Sequence, residues 1–381
     1  MQIQPIAAQS VRAEYATQVV VPSFDALSDD DKEAIRSENP LSFLHAMHSP
    51  ALSFDTALDK SKAGLEQLLE VGVFGDELDP VLFVYRMTHS RGAQTGVVCG
   101  IAATHFATGG DVLPHEGVQP DLVKYLARYL EQLGVSSSPV KAAFRSDGTI
   151  GRLLDEQTGR PPLLHFGDAS DLQQDIWAIT DEREIAAFLA AFQGVERAYI
   201  TDGHHRSAAA LHISPSTPVL TVLFPDHHLF ITQFNRVVHD VPLAGLRQWL
   251  TSVNATPCET PPMSLESCSV GVFVDGRWYR ASLPAVPYDP PASLDPSVLQ
   301  AEVLAPILGI DNPAADERLQ FVPGSVPLAT LEERAGDGAA FALAPVSVAD
   351  VMGVADRGLA MPAKSTYFEP KARSGIFLMR H

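Results

Sequence analysis

Short runs rich in β-branched and aromatic residues alternate with helix-patterned runs along the whole chain, and this alternation describes one α/β-mixed body of enzyme size. "VLFVYRMTHS" from Val81 and "GVVCGIAATHF" from Gly96 read as a strand pair around a glycine-containing loop. "VKAAF", "PLLHF" and "DIWAI" are further strand candidates, followed by a helix that Asp181 opens. Upstream, Ser28 caps a helix with Asp29, Asp30 and Asp31 in its first turn, and Asn39-Pro40 stops it. Thr56 to Val71 spaces Leu58, Leu65, Leu68 and Leu69 as an amphipathic helix, and Leu122 to Leu133 is helix-like. The next strands are "PVLTVLF" and "HLFITQFNRVV". The expected class is α+β, with mixed sheets and packed helices.

Beyond residue 255 the composition shifts to proline, in "TPCETPPM" and "PAVPYDPPASLDP", around the hairpin "SVGVFVDGRWYRASL" with its Asp275-Gly276 turn. A helix at "SVLQAEVLAPIL" and a strand at "AFALAPV" follow. We therefore divide the chain softly into residues 1–255, an α/β region, and 256–381, a region completing the same body. The formal net charge of −19 argues against nucleic acid as a partner, which is bound through positive surface. No segment has the length and apolarity of a membrane span. The N-terminal "MQIQPIAAQSVRAEYATQ" lacks a targeting pattern, and three cysteines, Cys99, Cys258 and Cys268, suit a reducing compartment, so the cytoplasm is the expected location.

"AYITDGHHRSAAAL", Ala198 to Leu211, is a strand, an Asp-Gly turn and an alanine-rich helix. It places His204, His205 and Arg206 where a helix dipole disfavours positive charge. An anion resolves this: amides of Gly203, His204 and His205 point at a phosphate, Arg206 adds a fork of donors, and Asp202 starts the turn. The competing arrangement pairs Arg206 with Asp202 and leaves the histidines on a surface helix. Zinc is disfavoured, because adjacent histidines face apart on a helix and no partner spacing is present; no metal ligands are assigned.

Three other stretches carry chemistry. "LPHEG" sets His115 beside Glu116 in a loop before a helix, and either suits a base. "QFNRVV" offers Asn235 and Arg236; the plainer reading is a strand-end Asn and a surface Arg. "MPAKSTYFEPKARSG" packs Lys364, Ser365, Thr366, Glu369, Lys371 and Arg373 between braces at Pro362 and Pro370, a composition suited to a ligand lid or to a salt-bridged surface loop. We expect this segment to fold back so that Lys364 and Lys371 approach the ligand at the Gly203 turn.

Several ordered motifs, "VPSFDALS", "NPLSFLH", "PHE", "ITDGHHRSAAA", "FNRVV" and "MPAKSTYFEPKARSG", give the chain a resemblance to the domain of unknown function 1015 family along nearly its whole length. More distantly, Gly203 to Arg206 resembles the phosphate-holding turn of ParB proteins, sulfiredoxin and free serine kinases, and Asn235-Arg236 resembles the second nucleotide motif of ParB. The resemblance implies a ParB/sulfiredoxin-like nucleotide-binding core. Sulfiredoxin's reactive cysteine falls at His204, which excludes sulfinic-acid reduction, and the acidic chain offers no DNA-binding patch.

The expected function is a nucleotide-dependent phosphotransferase acting on a small hydroxylated metabolite such as free serine, with ATP or ADP and Mg²⁺ as cofactors. Glu116 is the first candidate base and Glu369 the second, with His205 also at the reacting centre. The alternative is a ParB-like nucleotide-binding regulator or scaffold without turnover.

Overall fold

The structure is a computed structural model that describes residues 1–49, 53–168, 171–262 and 265–381. Met263, the last residue of the proline-rich "TPCETPPM", lies outside the described residues. The chain divides into two compact units, one of residues 1–229 and 370–381, the other of residues 230–369. The divisions fall at 229/230 and 369/370, whereas composition suggested 255/256, because the second unit is inserted into the first rather than appended to it.

The first unit contributes strands β1 (Ile6–Ser10), β2 (Leu78–His89), β3 (Gly92–Ala102), β4 (Val112–Leu113) and β5 (Val135–Ser136). They are followed by β6 (Val140–Phe144), β7 (Leu164–Gly167), β8 (Gln173–Ile179), β9 (Ala198–Asp202) and β10 (Pro218–Pro225). Its helices are α1 (Ala16–Val19), α2 (Asp29–Glu38), α3 (Phe54–Val71), α4 (Pro120–Leu133), α5 (Thr149–Thr158), α6 (Glu182–Gln193) and α7 (His204–Ile213). The capping logic of the sequence holds in detail. Ser28 and Asp31 form a reciprocal capping box on α2, and Asp181 accepts from the Arg183 and Glu184 amides at the start of α6. On α3, Leu58, Leu65 and Leu68 are buried, whereas Leu69 is exposed at the edge of the apolar stripe.

One mixed sheet runs β4-β9-β6-β10-β3-β2-β1 and then continues into the C-terminal strand; β8 adds to β2, and β7 to β8. β6 is parallel to β10 and antiparallel to β9, while β2 and β3 are antiparallel from Phe83↔Val98 to His89↔Gly92. β6 is buried along its whole length, which explains why four of its five residues are apolar. Leu82, Val84, Val97, Phe144, Phe188 and Phe192 anchor the core of this unit.

The second unit holds β11 (Phe230–Thr232), β12 (Phe234–Val238), α8 (Leu243–Ser252), β13 (Thr256–Cys258), β14 (Ser269–Val274), β15 (Arg277–Ser282) and α9 (Asp295–Leu299). Then come β16 (Leu319–Pro323), α10 (Leu328–Ala335), β17 (Ala339–Leu343), α11 (Val348–Asp356) and β18 (Tyr367–Glu369). Its six-stranded sheet runs β13-β15-β14-β17-β12-β16, with the Asp275-Gly276 hairpin joining β14 and β15. Clusters around Leu246, Val272 and Phe341 and around Val237, Phe273 and Trp278 give this unit cores of its own. β11 pairs with β18, Phe230 opposite Glu369, so the two ends of the insert lie side by side. β19 (Phe377–Arg380) returns to the first unit between β1 and β5.

Candidate functional site

α7 starts where β9 ends, and Gly203 makes the change of direction with φ of 96°. That conformation suits glycine, and a Cβ there would also lie 3.0 Å from the Arg206 guanidinium carbon. The N-cap residue, Gly203, has no side chain to cap α7, and the backbone N–H groups of the first turn have the anion-binding character of a helix start. The cations beside the turn are arranged differently from the expectation. Arg206 pairs with Asp202 through Nη2, and its Nη1 donates to the carbonyls of Ser138 and Pro139 at 2.8 and 2.6 Å. Much of the guanidinium is therefore committed to the protein, the arrangement that competed with a free phosphate fork.

Lys371 joins the same carboxylate, with Nζ 2.8 Å from Asp202 Oδ1. Burial alone pushes the Asp202 pKa up, but Arg206, Lys371 and a bond from Lys371 outweigh it and bring it down to about 2. Lys141, missed by the sequence analysis, stands opposite Asp202 in the β6–β9 register, fully buried, and donates to Gln94 Oε1 and to the Pro370 carbonyl, each at 2.8 Å. A lone lysine inside the otherwise apolar "VKAAF" was the signal that could have found it.

The "PHE" loop comes to this turn. The Gln119 amide donates to His205 Nε2 at 2.9 Å, and the His115 and His204 rings meet edge to face at 4.7 Å. Glu116 lies between them, Oε1 3.8 Å from His115 Nε2 and Oε2 4.0 Å from His204 Nδ1. Burial, reinforced by the neighbouring His115, pulls His204 well below the usual histidine range. That shift favours the neutral form of the His204 ring. His115 is lowered too, first by burial, with Glu116 opposing.

The remaining candidates belong to the second unit. Asn235 and Arg236 lie inside β12, 0% and 3% exposed, which overturns the reading of Arg236 as a surface residue. Arg236 donates to Phe234 O at 2.8 Å and lies over the Phe321 ring, with no carboxylate partner among the described residues. Burial lowers its pKa to about 10. Neither side-chain polar atom of Asn235 has a partner among the described residues, and the same holds for Ser365 Oγ. Buried groups of this kind mark places where water or a ligand completes the bonding. Lys364 sits with its Nζ 5.6 Å over the Phe234 ring, Thr366 is buried, and Glu369 accepts from Thr232 at 3.2 Å. The C-terminal segment is thus divided: Lys371 reaches the Gly203 turn, while Lys364, Ser365, Thr366 and Glu369 belong to the insert.

Among the described residues no group of three His, Cys, Asp or Glu is placed to hold a metal ion, and no helix is long and apolar enough to cross a membrane.

Residues 3–299 match the family described as "Protein of unknown function (DUF1015)". The chain belongs to the DUF1015 family. No curated protein matches the sequence. Among solved structures, a free serine kinase mutant in complex with ADP aligns at 12% identity and a TM-score of 0.38, covering 71% of this chain and 87% of that one. A conserved hypothetical protein from Pyrococcus furiosus aligns at 12% identity and a TM-score of 0.36, over 71% of this chain and 90% of that one. SbnI from Staphylococcus aureus, truncated at its C-terminus, gives 12%, 0.36, 73% and 85% in the same order. Resemblance at this level leaves the function of this DUF1015 protein to be argued from its own residues.

Proposed function

We propose that this protein is a nucleotide-dependent phosphotransferase whose acceptor is a small hydroxylated metabolite, with free serine the first to test. The observation that carries this reading is the convergence of the Pro114–Gln119 loop on the N-terminus of α7, whose N-cap residue is a glycine. The amides of Gly203, His204 and His205 would hold a phosphate. Arg206 and Lys371 act through Asp202, fixing the turn and setting a positive field behind it. Mg²⁺, if it accompanies the nucleotide, would be held by the phosphates and would screen their charge.

In this mechanism the acceptor hydroxyl oxygen attacks the terminal phosphorus, the bond to the departing nucleoside diphosphate (from ATP) or monophosphate (from ADP) breaks, and Glu116 takes the hydroxyl proton. Glu116 is favoured over Glu369 because it lies beside the turn within the first unit. His205 anchors the loop that carries Glu116. In the second unit, Asn235, Arg236, Lys364, Ser365 and Thr366 are proposed to bind an anionic ligand group, supported by the unpartnered Asn235 amide and Ser365 hydroxyl.

The test is conversion of ATP to ADP, and of ADP to AMP, with a panel of free hydroxy amino acids, the phosphorylated acceptor being detected by mass spectrometry. Glu116→Gln should lower turnover by about 10²–10⁴-fold, the range for general acid–base groups, with ADP affinity unchanged. ADP binding without turnover of any acceptor would leave the regulator reading in its place. Absence of nucleotide binding would overturn both.

A further inference from the structure

The first unit contains a cavity of about 100 Å³ walled by Phe43, Leu126, Leu130, Val140, Ala210 and Val219. Its polar lining is sparse and largely engaged. Ser137 Oγ accepts from the Gly375 amide at 2.8 Å, Ser138 Oγ bonds Ser374 Oγ at 2.6 Å, and Tyr129 donates to Ala46 O at 2.7 Å. His48 also lines the space, with Nδ1 3.3 Å from Ser61 Oγ. Burial, then the charges of Arg36, Lys60 and His45, pull its pKa down to about 4, so it enters as a neutral ring. Arg206 is the charged member of the wall. Its Nη1 and Nη2 reach Ser138, Pro139 and Asp202, while its Nε–H has no partner among the described residues.

An apolar space with one charged donor in its wall selects a ligand that is hydrocarbon at one end and an acceptor at the other. We infer that this cavity is a binding site for a short aliphatic carboxylate, its hydrocarbon body against the Leu126, Leu130 and Val219 walls and its head on the Arg206 guanidinium. An ionised acceptor is favoured because a charge-assisted bond is about twice as strong as a neutral one and offsets more of the desolvation of the head. Size follows from volume: an engineered apolar cavity of about 150 Å³ takes benzene, so this one suits a body of about three or four carbons. The site shares Arg206 with the phosphotransfer reading, whereas its apolar walls are residues that reading does not use. Because Arg206 also clasps Asp202 and lies against Gly203, an occupant would bear on the turn at the start of α7.

The experiment is a calorimetric titration of the full chain with butyrate, butyramide and acetate at neutral pH. Butyrate should bind, and butyramide, which loses the charge, and acetate, which loses two methylenes, should each be weaker by about tenfold. Ala210→Leu and Leu126→Phe, which fill the space from two different helices, should each abolish butyrate binding, so if one variant fails to fold the other decides. Methyl NMR of the unmodified protein supplies an independent readout, with shifts expected at Leu126, Leu130, Val140 and Val219. No binding of butyrate at millimolar concentration, equal affinity for butyramide, or methyl shifts confined to other residues would each overturn the assignment.

Discussion

Asp202 concentrates more of the site's electrostatics than any histidine of the motif that contains it. Its carboxyl, at about 2 in the folded protein against an ordinary value near 3.8, releases its proton more readily folded than unfolded. Such a group adds stability that is fully present above the unfolded pKa and is lost as pH falls through the folded one. The difference is worth on the order of 2 kcal/mol at neutral pH. Urea unfolding of wild type and Asp202→Asn should therefore diverge above pH 5 and converge toward pH 2, with the wild type the more stable at neutral pH. Gly203 is the second sensitive residue. Gly203→Val should cost about 2 kcal/mol or more, since a side chain in the left-handed region costs roughly 1–2 kcal/mol, rising with β-branching, and the new Cβ presses on Arg206. An unchanged denaturation midpoint would show that the turn relaxes at no cost.

At the scale of elements, the start of α7 and the loop before α4 are held together by side chains rather than by a ladder. His205 Nε2 accepts the Gln119 amide next to Pro120, the first residue of α4. His205→Ala removes that acceptor, a bond worth about 1 kcal/mol, and should speed hydrogen exchange at the Gln119 amide by about fivefold if the loop opens locally. His205→Ala exchanging like wild type at Gln119 would show that Pro120 and the α4 packing hold the loop unaided. The C-terminal strand depends on its own polar anchors: Arg373 pairs with Asp168 at 2.6 Å, both nearly buried, while Tyr85 donates to Gln174 at 2.6 Å within the same network. Arg373→Met should be strongly destabilising, by about 3 kcal/mol, because it strands a buried carboxylate. Adding Asp168→Leu should recover much of that loss, and a double variant as unstable as the single would show that the charges are not what matters there.

For the whole molecule, the arrangement of the insert makes a specific demand. Its ends are adjacent, Phe230 facing Glu369, and each unit has its own apolar core. Replacing residues 230–369 by a short glycine-serine linker between Leu229 and Pro370 should leave a folded first unit in which Lys371 still pairs with Asp202. Residues 230–369 expressed alone should fold as well. A molten first unit, with helix content but no dispersed NMR spectrum, would show that the insert contributes to its core. The net charge of −19 sets an expectation at the same scale: no tight binding of duplex DNA at physiological salt, tested by fluorescence anisotropy.

Much of this architecture was legible because its determinants are local. Alternating runs produced β2 and β3, Ser28 and Asp181 opened α2 and α6, Asp275-Gly276 turned the β14–β15 hairpin, and Asp202-Gly203 ended β9 and began α7. Period, cap and turn chemistry act over a few residues, so spacing alone reveals them. Tertiary structure decided which of the chemistry-bearing stretches meet. Gln119 and His205 are 86 residues apart, and the Lys141 contact with Pro370 spans 229; no periodicity encodes such pairings. It also biased the charge states: burial pulls the His204 pKa down, and Arg206 is tied to Asp202 because the turn brings them together. Asn235 and Arg236 were visible as residues but not as buried ones, since burial depends on what packs across a strand, and that partner comes from elsewhere in the chain.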